Sequence, residues 1–419
     1  MTRDERQKEC VKKWIQHKCR ATIVAATGFG KTRTSFLAIS TILAKFPETQ
    51  INIIVPTTAL KDQWNKQIDE RGLGLNAHVY VVNSAIKSDM RCDMLIIDEV
   101  HRFASDTFIT IFQKCRYKFV LGLTATYERL DGKEHLLEHY CPKCDEVSLL
   151  ECAINNWISK YQEYLVLIQV DDIDTYMDAN REFHSHFEYF GFNWDLINKL
   201  TGPNGYLARI QYRDSICAPN ANSAYKSAKL KEITYHVTAF MRCMQKRKLF
   251  INNHPKKIEI VKKILEARNN KKTIVFSGNV KMAESLGIEH VFTGRTGKKR
   301  SKTMIEEFNA GQFNQLSTVK KANEGLDVKG LEVGIVIGTD SSRTSAQQRL
   351  GRVIRAEQFD KNAEFFNIII HDTVEESWFR KSHEGANYTT IDEDGLYKLL
   401  NGEVPDSPKI RLQNYMFRF

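Results

Sequence analysis

The chain has 419 residues, 42% apolar and 27% charged, with a formal net charge of +10 and a pI of about 9.0. This is the profile of a soluble globular protein with material for two or three domains. No run of about 18 apolar residues marks a membrane span, and no apolar segment follows a basic N-terminus to mark a signal peptide. The nine cysteines are therefore expected to be reduced, in a cytoplasm-like compartment. The basic balance favours a polyanionic partner, although a solvated basic surface accounts for it equally well.

In chain order, Ala21 to Ala25 is a short apolar run ending at a glycine turn, and Thr34 to Phe46 then has helical spacing. Ile51 to Val55 is a second apolar run and Leu60 to Ile68 a second helix. Val79 to Val82, Met94 to Ile97 and Phe119 to Leu123 are further short runs of the buried-strand kind. Such alternation predicts a parallel sheet covered on both faces. It returns late: Ile258 to Ala267 reads as a helix, Thr273 to Phe276 as a strand, and Met304 to Phe308 sits on a helix. Leu331 to Ile337 and Phe365 to Ile370 are strands. The fold class is α/β, with one block over residues 1–145, a second with a C-terminal tail over 252–419, and an inserted, mainly helical module over 146–251 between them.

The charge of the middle region is divided. Residues 145–195 carry a net charge of −9 and residues 226–272 a net charge of +11. The second value exceeds that of the whole chain. Seven aromatics from Tyr176 to Trp194 crowd the acidic part, and Thr201-Gly202-Pro203-Asn204-Gly205 is a turn between the two halves. Asp171-Asp172-Ile173-Asp174 suits the start of a helix better than a metal site.

Two motifs carry chemistry. Ala25-Ala26-Thr27-Gly28-Phe29-Gly30-Lys31-Thr32 follows an apolar strand and opens a helix, the context a phosphate loop requires. Glycines let successive backbone N–H groups turn inward, and the helix N-terminus adds positive potential. Lys31 is expected to reach the β- and γ-phosphates and Thr32 to hold Mg²⁺. Met94-Leu95-Ile96-Ile97 is a buried strand with Asp98-Glu99-Val100-His101 at its C-terminal end, the edge where ligands bind. Asp98 suits the metal and Glu99 the attacking water, because carboxylates bind a hard cation and accept protons. Alone, the acidic pair reads equally as a surface helix cap. The upstream phosphate loop makes that reading remote.

Together these residues resemble motifs I and II of superfamily 2 helicases. Val55-Pro56-Thr57-Thr58-Ala59-Leu60 with Gln63-Trp64 resembles motif Ia, and Gly122-Leu123-Thr124-Ala125-Thr126 with Arg129 and Asp131-Gly132 resembles motif III. Lys272 to Ser277, Asn323-Glu324-Gly325-Leu326-Asp327 and Gln348 to Arg355 resemble motifs IV, V and VI. The motif III run and the Gln-Arg start of motif VI look like the branch of restriction-enzyme translocating subunits, excision-repair helicases and phage-encoded branched-DNA helicases. The compact length looks most like the phage members. Tyr127 departs from that pattern, which has proline there, and a local change in the loop is expected.

The resemblance implies two RecA-like domains with ATP and Mg²⁺ in the cleft between them. Arg352 and Arg355 then face the γ-phosphate from the second domain, Gly325 and Asp327 lie on the nucleotide's ribose side, and Gln7 is the nearest candidate for an adenine-reading glutamine. A plain helical surface glutamine fits Gln7 nearly as well. Thr57, Thr58, Asn83, Ser84 and Thr318 match backbone-contacting positions, where short polar side chains position a strand without reading its sequence. Trp64 reads as core. Lys226 to Lys272 offers an electrostatic track with Tyr206, Arg209, Tyr212, Arg213 and Tyr225 nearby for stacking. A solvated helix face is the alternative.

His135, His139, Cys141 and Cys144 fall within ten residues, and Cys152 follows. Their spacing permits zinc, but in the family this segment runs as helix, turn and strand, with Val147 to Leu149 as the strand. The leading expectation is an ATP-dependent DNA helicase or translocase acting on branched DNA, monomeric and cytoplasmic (in the host if phage-encoded). An RNA helicase, a duplex translocase without strand separation, and an ATP-switched nucleic-acid-binding module are the alternatives.

Overall fold

The computed structural model describes residues 1–128, 132–319, 328–354, 362–406 and 408. Thirteen strands build two parallel sheets. The first holds β1 (Arg20–Ala25), β2 (Ile51–Val55), β3 (Ala77–Val81), β4 (Met94–Asp98), β5 (Phe119–Thr124) and β6 (Lys143–Val147) in the order β3-β2-β4-β5-β1-β6. The second holds β7 (Tyr161–Ile168), β8 (Thr273–Ser277), β9 (Val291–Phe292), β10 (Gln315–Val319), β11 (Val333–Val336), β12 (Ala363–Ile370) and β13 (Thr389–Ile391) in the order β9-β10-β8-β11-β12-β7-β13. Every residue of β2, β4 and β12 is buried. That is the signature of strands covered on both faces, and it explains their unbroken apolar runs.

The expected elements of both blocks form, with two displacements. The strand expected at Val147 to Leu149 ends at Val147, because Ser148 caps a short helix from Leu149 by accepting from Glu151 N at 3.0 Å. The module boundary also moves. Tyr161–Ile168, inside the stretch expected to be the inserted module, pairs with β12 along its full length, from Ala363 opposite Tyr161 to Ile370 opposite Ile168. The helical module is therefore inserted within the second sheet domain, after its strand β7. The acidic charge of residues 145–195 hid a strand whose last six residues are all buried.

The module itself is α4 to α7, numbered after α1 (Arg3–Gln16), α2 (Lys31–Leu43) and α3 (Thr58–Glu70) of the first domain. Helices α4 (Ile173–Glu188), α5 (Trp194–Thr201), α6 (Gly205–Ile216) and α7 (Ser223–Asn253) close around Phe183, Phe187, Phe190, Ile233, Val237 and Phe240. Asp172 stands at the start of α4 but does not cap it. Its carboxylate accepts from His254 Nε2 at 2.9 Å and ties the base of α4 to the end of α7. No helix among the described residues is long and apolar enough to cross a membrane.

Helices α8 (Pro255–Ala267) and α10 (Val374–Ser382) flank the second sheet, with α9 (Arg343–Val353) between them in sequence. The Lys257 ammonium on α8 donates to both carboxylate oxygens of Glu375 on α10, at 2.7 and 2.6 Å, and to the Ile337 carbonyl at 3.2 Å. Both side chains are fully buried. Removing one partner strands a buried charge, which costs about 3–5 kcal/mol. Glu375→Ala should lower stability by about that amount in chemical denaturation, and a Lys257→Met, Glu375→Leu pair should recover most of it. Equal stability of Glu375→Ala and the parent would contradict this.

Candidate functional site

The loop between β1 and α2 is shaped by Gly28 and Gly30, with φ of +88° and +98°, values that a side chain makes costly. Gly30 begins α2 without a side-chain cap, so the first amides of the helix stay available to an anion. Ala25 ends β1, and Ala26 N donates to Val147 O at 2.9 Å. Phe29 is fully buried, its ring 5.7 Å from that of Trp157. Lys31 Nζ lies 3.5 Å from the Ala25 carbonyl, and Thr32 stands half-buried in the first turn of α2.

Helix α1 holds this loop from below. The Asp145 carboxylate binds Arg6 and Lys13 of α1, and Arg6 also donates to Glu151 at 2.7 Å. Burial pushes the Asp145 carboxyl up, yet these cations hold it below its ordinary value. So docked, α1 aims Gln7 and Arg3 at the loop. Gln7 Nε2 donates to the Phe29 carbonyl at 2.8 Å, and Arg3 donates to the Phe29 and Gly28 carbonyls at 2.7 and 2.5 Å. Gln7 is 1% exposed, not a surface residue. Arg3 carried no signal in the sequence, because it belongs to no motif.

At the end of β4, Asp98 and Glu99 stand beside the loop. Burial, reinforced by the neighbouring Glu99, pushes the Asp98 carboxyl up to about 6, while Trp64 and Lys31 pull the other way. Trp64 is buried core, as expected, but it does more. Its indole N–H donates to Asp98 Oδ2 at 3.0 Å, while Glu99 N donates to Oδ1 at 3.0 Å. Glu99 takes φ of +52°, a strained conformation for a side-chain-bearing residue. Its Oε2 is buried without a hydrogen-bond partner among the described residues. Two crowded carboxylates with an open acceptor fit a divalent cation and a water held for attack.

A series of polar contacts begins beside Glu99. Its Oε2 lies 3.5 Å from His101 Nδ1, which is 2.8 Å from Thr124 Oγ1. The Thr124 hydroxyl donates to Thr126 O at 2.6 Å, so it accepts from His101, whose proton is thereby assigned to Nδ1. Thr126 Oγ1 then meets Thr344 Oγ1 of α9, in the second domain, at 2.9 Å. Nearby, Thr27 Oγ1 donates to Gln347 O at 3.1 Å. A Cβ on Gly351 would lie 2.0 Å from Thr27 Oγ1, so only glycine lets α9 sit this close to the loop. A cavity of about 240 Å³ lies beside these contacts, lined by Thr126, Tyr127, Arg343, Gln347 and His383 among others. Tyr127 is buried there, and among the described residues its hydroxyl has no hydrogen-bond partner. Arg349 is bound to Asp340 at 2.8 Å within its own domain, whereas Arg352 follows Gly351 directly and is half-buried. Gly325, Asp327 and Arg355 lie outside the described residues, as do Arg129, Asp131, Asn323, Glu324 and Leu326.

Thr57 caps α3, accepting from Leu60 N at 3.4 Å, and Thr58 is exposed beside it. Asn83 and Ser84 are exposed on the short helix Val82–Ala85. Thr318 is a correction. It lies fully buried within β10 and offers no surface to a strand in this arrangement. The His and Cys residues of the suggested zinc site diverge as well. Cys141 is fully buried, Cys144 Sγ donates to Thr22 O at 3.3 Å and His135 Nδ1 contacts Gly132 O. Among the described residues they form no group of three within ligand reach of one another.

Residues 1–83 and 83–129 match the family model "Type III restriction enzyme, res subunit", and residues 256–357 match "Helicase conserved C-terminal domain". The chain is 24% identical over 399 residues to the DNA 3'-5' translocase XPB2 of Sulfurisphaera tokodaii, covering 90% of this chain and 84% of that one. It is 26% identical over 294 residues to a putative ATP-dependent RNA helicase of Acanthamoeba polyphaga mimivirus, covering 70% of this chain and under half, 46%, of the relative. Its fold is shared by yeast Dbp5 bound to RNA and ADP BeF3, with a TM-score of 0.59 at 12% identity over 94% of this chain and 91% of that one.

Trp64→Phe keeps the buried ring and removes only the N–H to Asp98. A hydrogen bond to a charged group contributes about 1.5–3 kcal/mol, so ATP turnover should fall by about tenfold or more and require more Mg²⁺, with the melting temperature little changed. Parental turnover across a Mg²⁺ titration would remove the role assigned to the indole.

Proposed function

Because the chain is a superfamily 2 helicase of the restriction-subunit and repair-helicase type, and so an ATP hydrolase, we propose that it travels on DNA and remodels branched DNA by unwinding or branch migration. The observation that carries this reading is the direct seating of α9 on the phosphate loop, through Thr27, Gly351 and the Thr126–Thr344 hydroxyl pair. A switch that only bound ATP would not need its second domain against the loop that holds the phosphates.

In this reading the loop amides and Lys31 grip the β- and γ-phosphates, and Thr32 and Asp98 hold Mg²⁺. Bound Mg²⁺ supplies countercharge to the phosphate oxygens. Glu99 accepts the proton of the attacking water at its open Oε2. Arg352, joined by Arg355 on the strength of the resemblance, neutralises charge on the transferring phosphoryl group from across the cleft, which makes hydrolysis depend on closure. Gln7 and Arg3 keep the loop in shape. Thr57, Thr58, Asn83 and Ser84 hold the strand by its backbone, and the helical module is the wedge or clamp that makes a junction the preferred track. A viral relative supports work on a viral genome in the host cytoplasm.

RNA as the track is the second reading, supported by the viral relative named as a putative RNA helicase. An ATPase assay on the full chain with single-stranded, duplex, forked and four-way DNA and with RNA separates the two. The expected order places forked and four-way DNA highest. Stimulation by RNA alone would move the protein to the second reading, and stimulation by no nucleic acid would end the motor account. Lys31→Ala should abolish turnover. Glu99→Gln should bind ATP and hydrolyse it about a hundredfold or more slowly, and normal hydrolysis would reject Glu99 as the water-activating group.

A further inference from the structure

We infer that a groove on the helical module, between α6 and α7, is a stacking site for single-stranded nucleic acid, separate from the motif residues of the two sheet domains. This rests on the nucleic-acid reading above and adds a place on the molecule to it. The groove has a volume of about 450 Å³ and is lined by Tyr206 of α6 with Leu230, Lys231, Thr234, Tyr235, Thr238, Ala239 and Arg242 of α7.

The sequence of α7 builds this surface. Its core face, Ile233, Val237, Phe240 and Cys243, packs against Phe183 and Phe187 of α4. The residues at the alternate helical spacing, Lys231, Thr234, Tyr235, Thr238 and Arg242, are therefore turned to a second stripe. Tyr206 and Tyr235 are 61% and 64% exposed, and the Tyr235 ring is held by edge contacts with His186 and His236 at 5.7 and 5.4 Å, which leave a face open. Leu230 and Ala239 give the groove an apolar floor, and Lys231 and Arg242 flank it with positive charge. No acidic side chain lines it. The one acid of α7, Glu232, is engaged by Lys229 at 2.9 Å, while the helix carries seven Lys and Arg residues.

Two exposed rings, hydroxyls and cations without an opposing acid are the groups that grip a strand through its base faces and phosphates without reading sequence. Duplex DNA presents its phosphates to such a groove but keeps its base faces stacked inside. The site therefore takes a separated strand. Placed on a module within the second domain, it gives that domain its own hold on the strand, so that cleft motion pulls on it.

The test uses the full chain and a labelled oligothymidylate of about 15 nucleotides, read by fluorescence anisotropy, beside oligouridylate and a duplex of equal length. A Tyr206→Ala, Tyr235→Ala double variant should bind oligothymidylate about tenfold or more weakly, while Tyr206→Phe, Tyr235→Phe binds as the parent does. Arg242→Ala should weaken binding and flatten its salt dependence by about one unit of slope. Basal ATP hydrolysis should be unchanged in all of them. Equal affinity of the double alanine variant and the parent overturns the groove and leaves the motor intact. Equal loss in the phenylalanine variant, or loss of duplex binding to the same degree, also overturns stacking of a separated strand. Failure of the parent to respond to any nucleic acid would instead show as absent ATPase stimulation and would remove both. Tighter oligouridylate binding than oligothymidylate would keep the groove and assign it to RNA.

Discussion

Two carboxylates placed side by side at the buried end of one strand are the constraint on which the site depends. Asp98 has left water almost entirely and stands next to Glu99, so each opposes the other's charge, and the Asp98 carboxyl is pushed up to about 6. Such a pair is unfavourable unless something positive arrives. The surroundings can be read as responses to it. Trp64 donates its N–H to Asp98, Lys31 stands within electrostatic reach, and Glu99 is bent into a left-handed backbone that leaves one oxygen open. A divalent cation held here would supply the positive charge that such a pair favours.

From Glu99 the influence runs outward along short polar side chains. His101 contacts Thr124, Thr124 donates to the backbone carbonyl of Thr126, and the Thr126 hydroxyl meets Thr344 of the other domain. What passes along this series is therefore the position of the Thr126 backbone and not a proton. Beside it, the missing side chain of Gly351 allows α9 to rest on Thr27. One domain provides the glycine loop proposed to cradle the phosphates, and the other touches that loop directly.

Much of this was legible in the sequence, for physical reasons that differ by element. Strands covered on both faces must be apolar throughout, so β1, β2, β4 and β5 were visible as runs. The loop and the acidic box need particular residues at fixed spacing, so Gly28, Gly30, Lys31, Asp98 and Glu99 stood out. Strand β7 did not, because charge was read across residues 145–195 in place of the apolar run Tyr164 to Ile168 inside it. Arg3 and the second role of Trp64 were hidden because each acts on a partner far off in the chain: Phe29, 26 residues away, and Asp98, 34 residues away. Thr318 was assigned by position in a motif, and position does not reveal that the residue is buried within its strand. The cysteines near residue 141 matched a ligand spacing, but burial and backbone hydrogen bonding claim them first.

The central claim is that hydrolysis requires α9 to sit on the phosphate loop. Gly351→Ala tests it most directly, since the added methyl would fall 2.0 Å from Thr27 Oγ1 while leaving Lys31, Asp98 and Glu99 untouched. Nucleotide affinity and nucleic-acid-stimulated turnover are measured on the same folded protein. The account predicts affinity within about threefold of the parent and turnover lowered by about a hundredfold, the cost of a misplacement on the order of 1 Å. Parental turnover in that variant would contradict it.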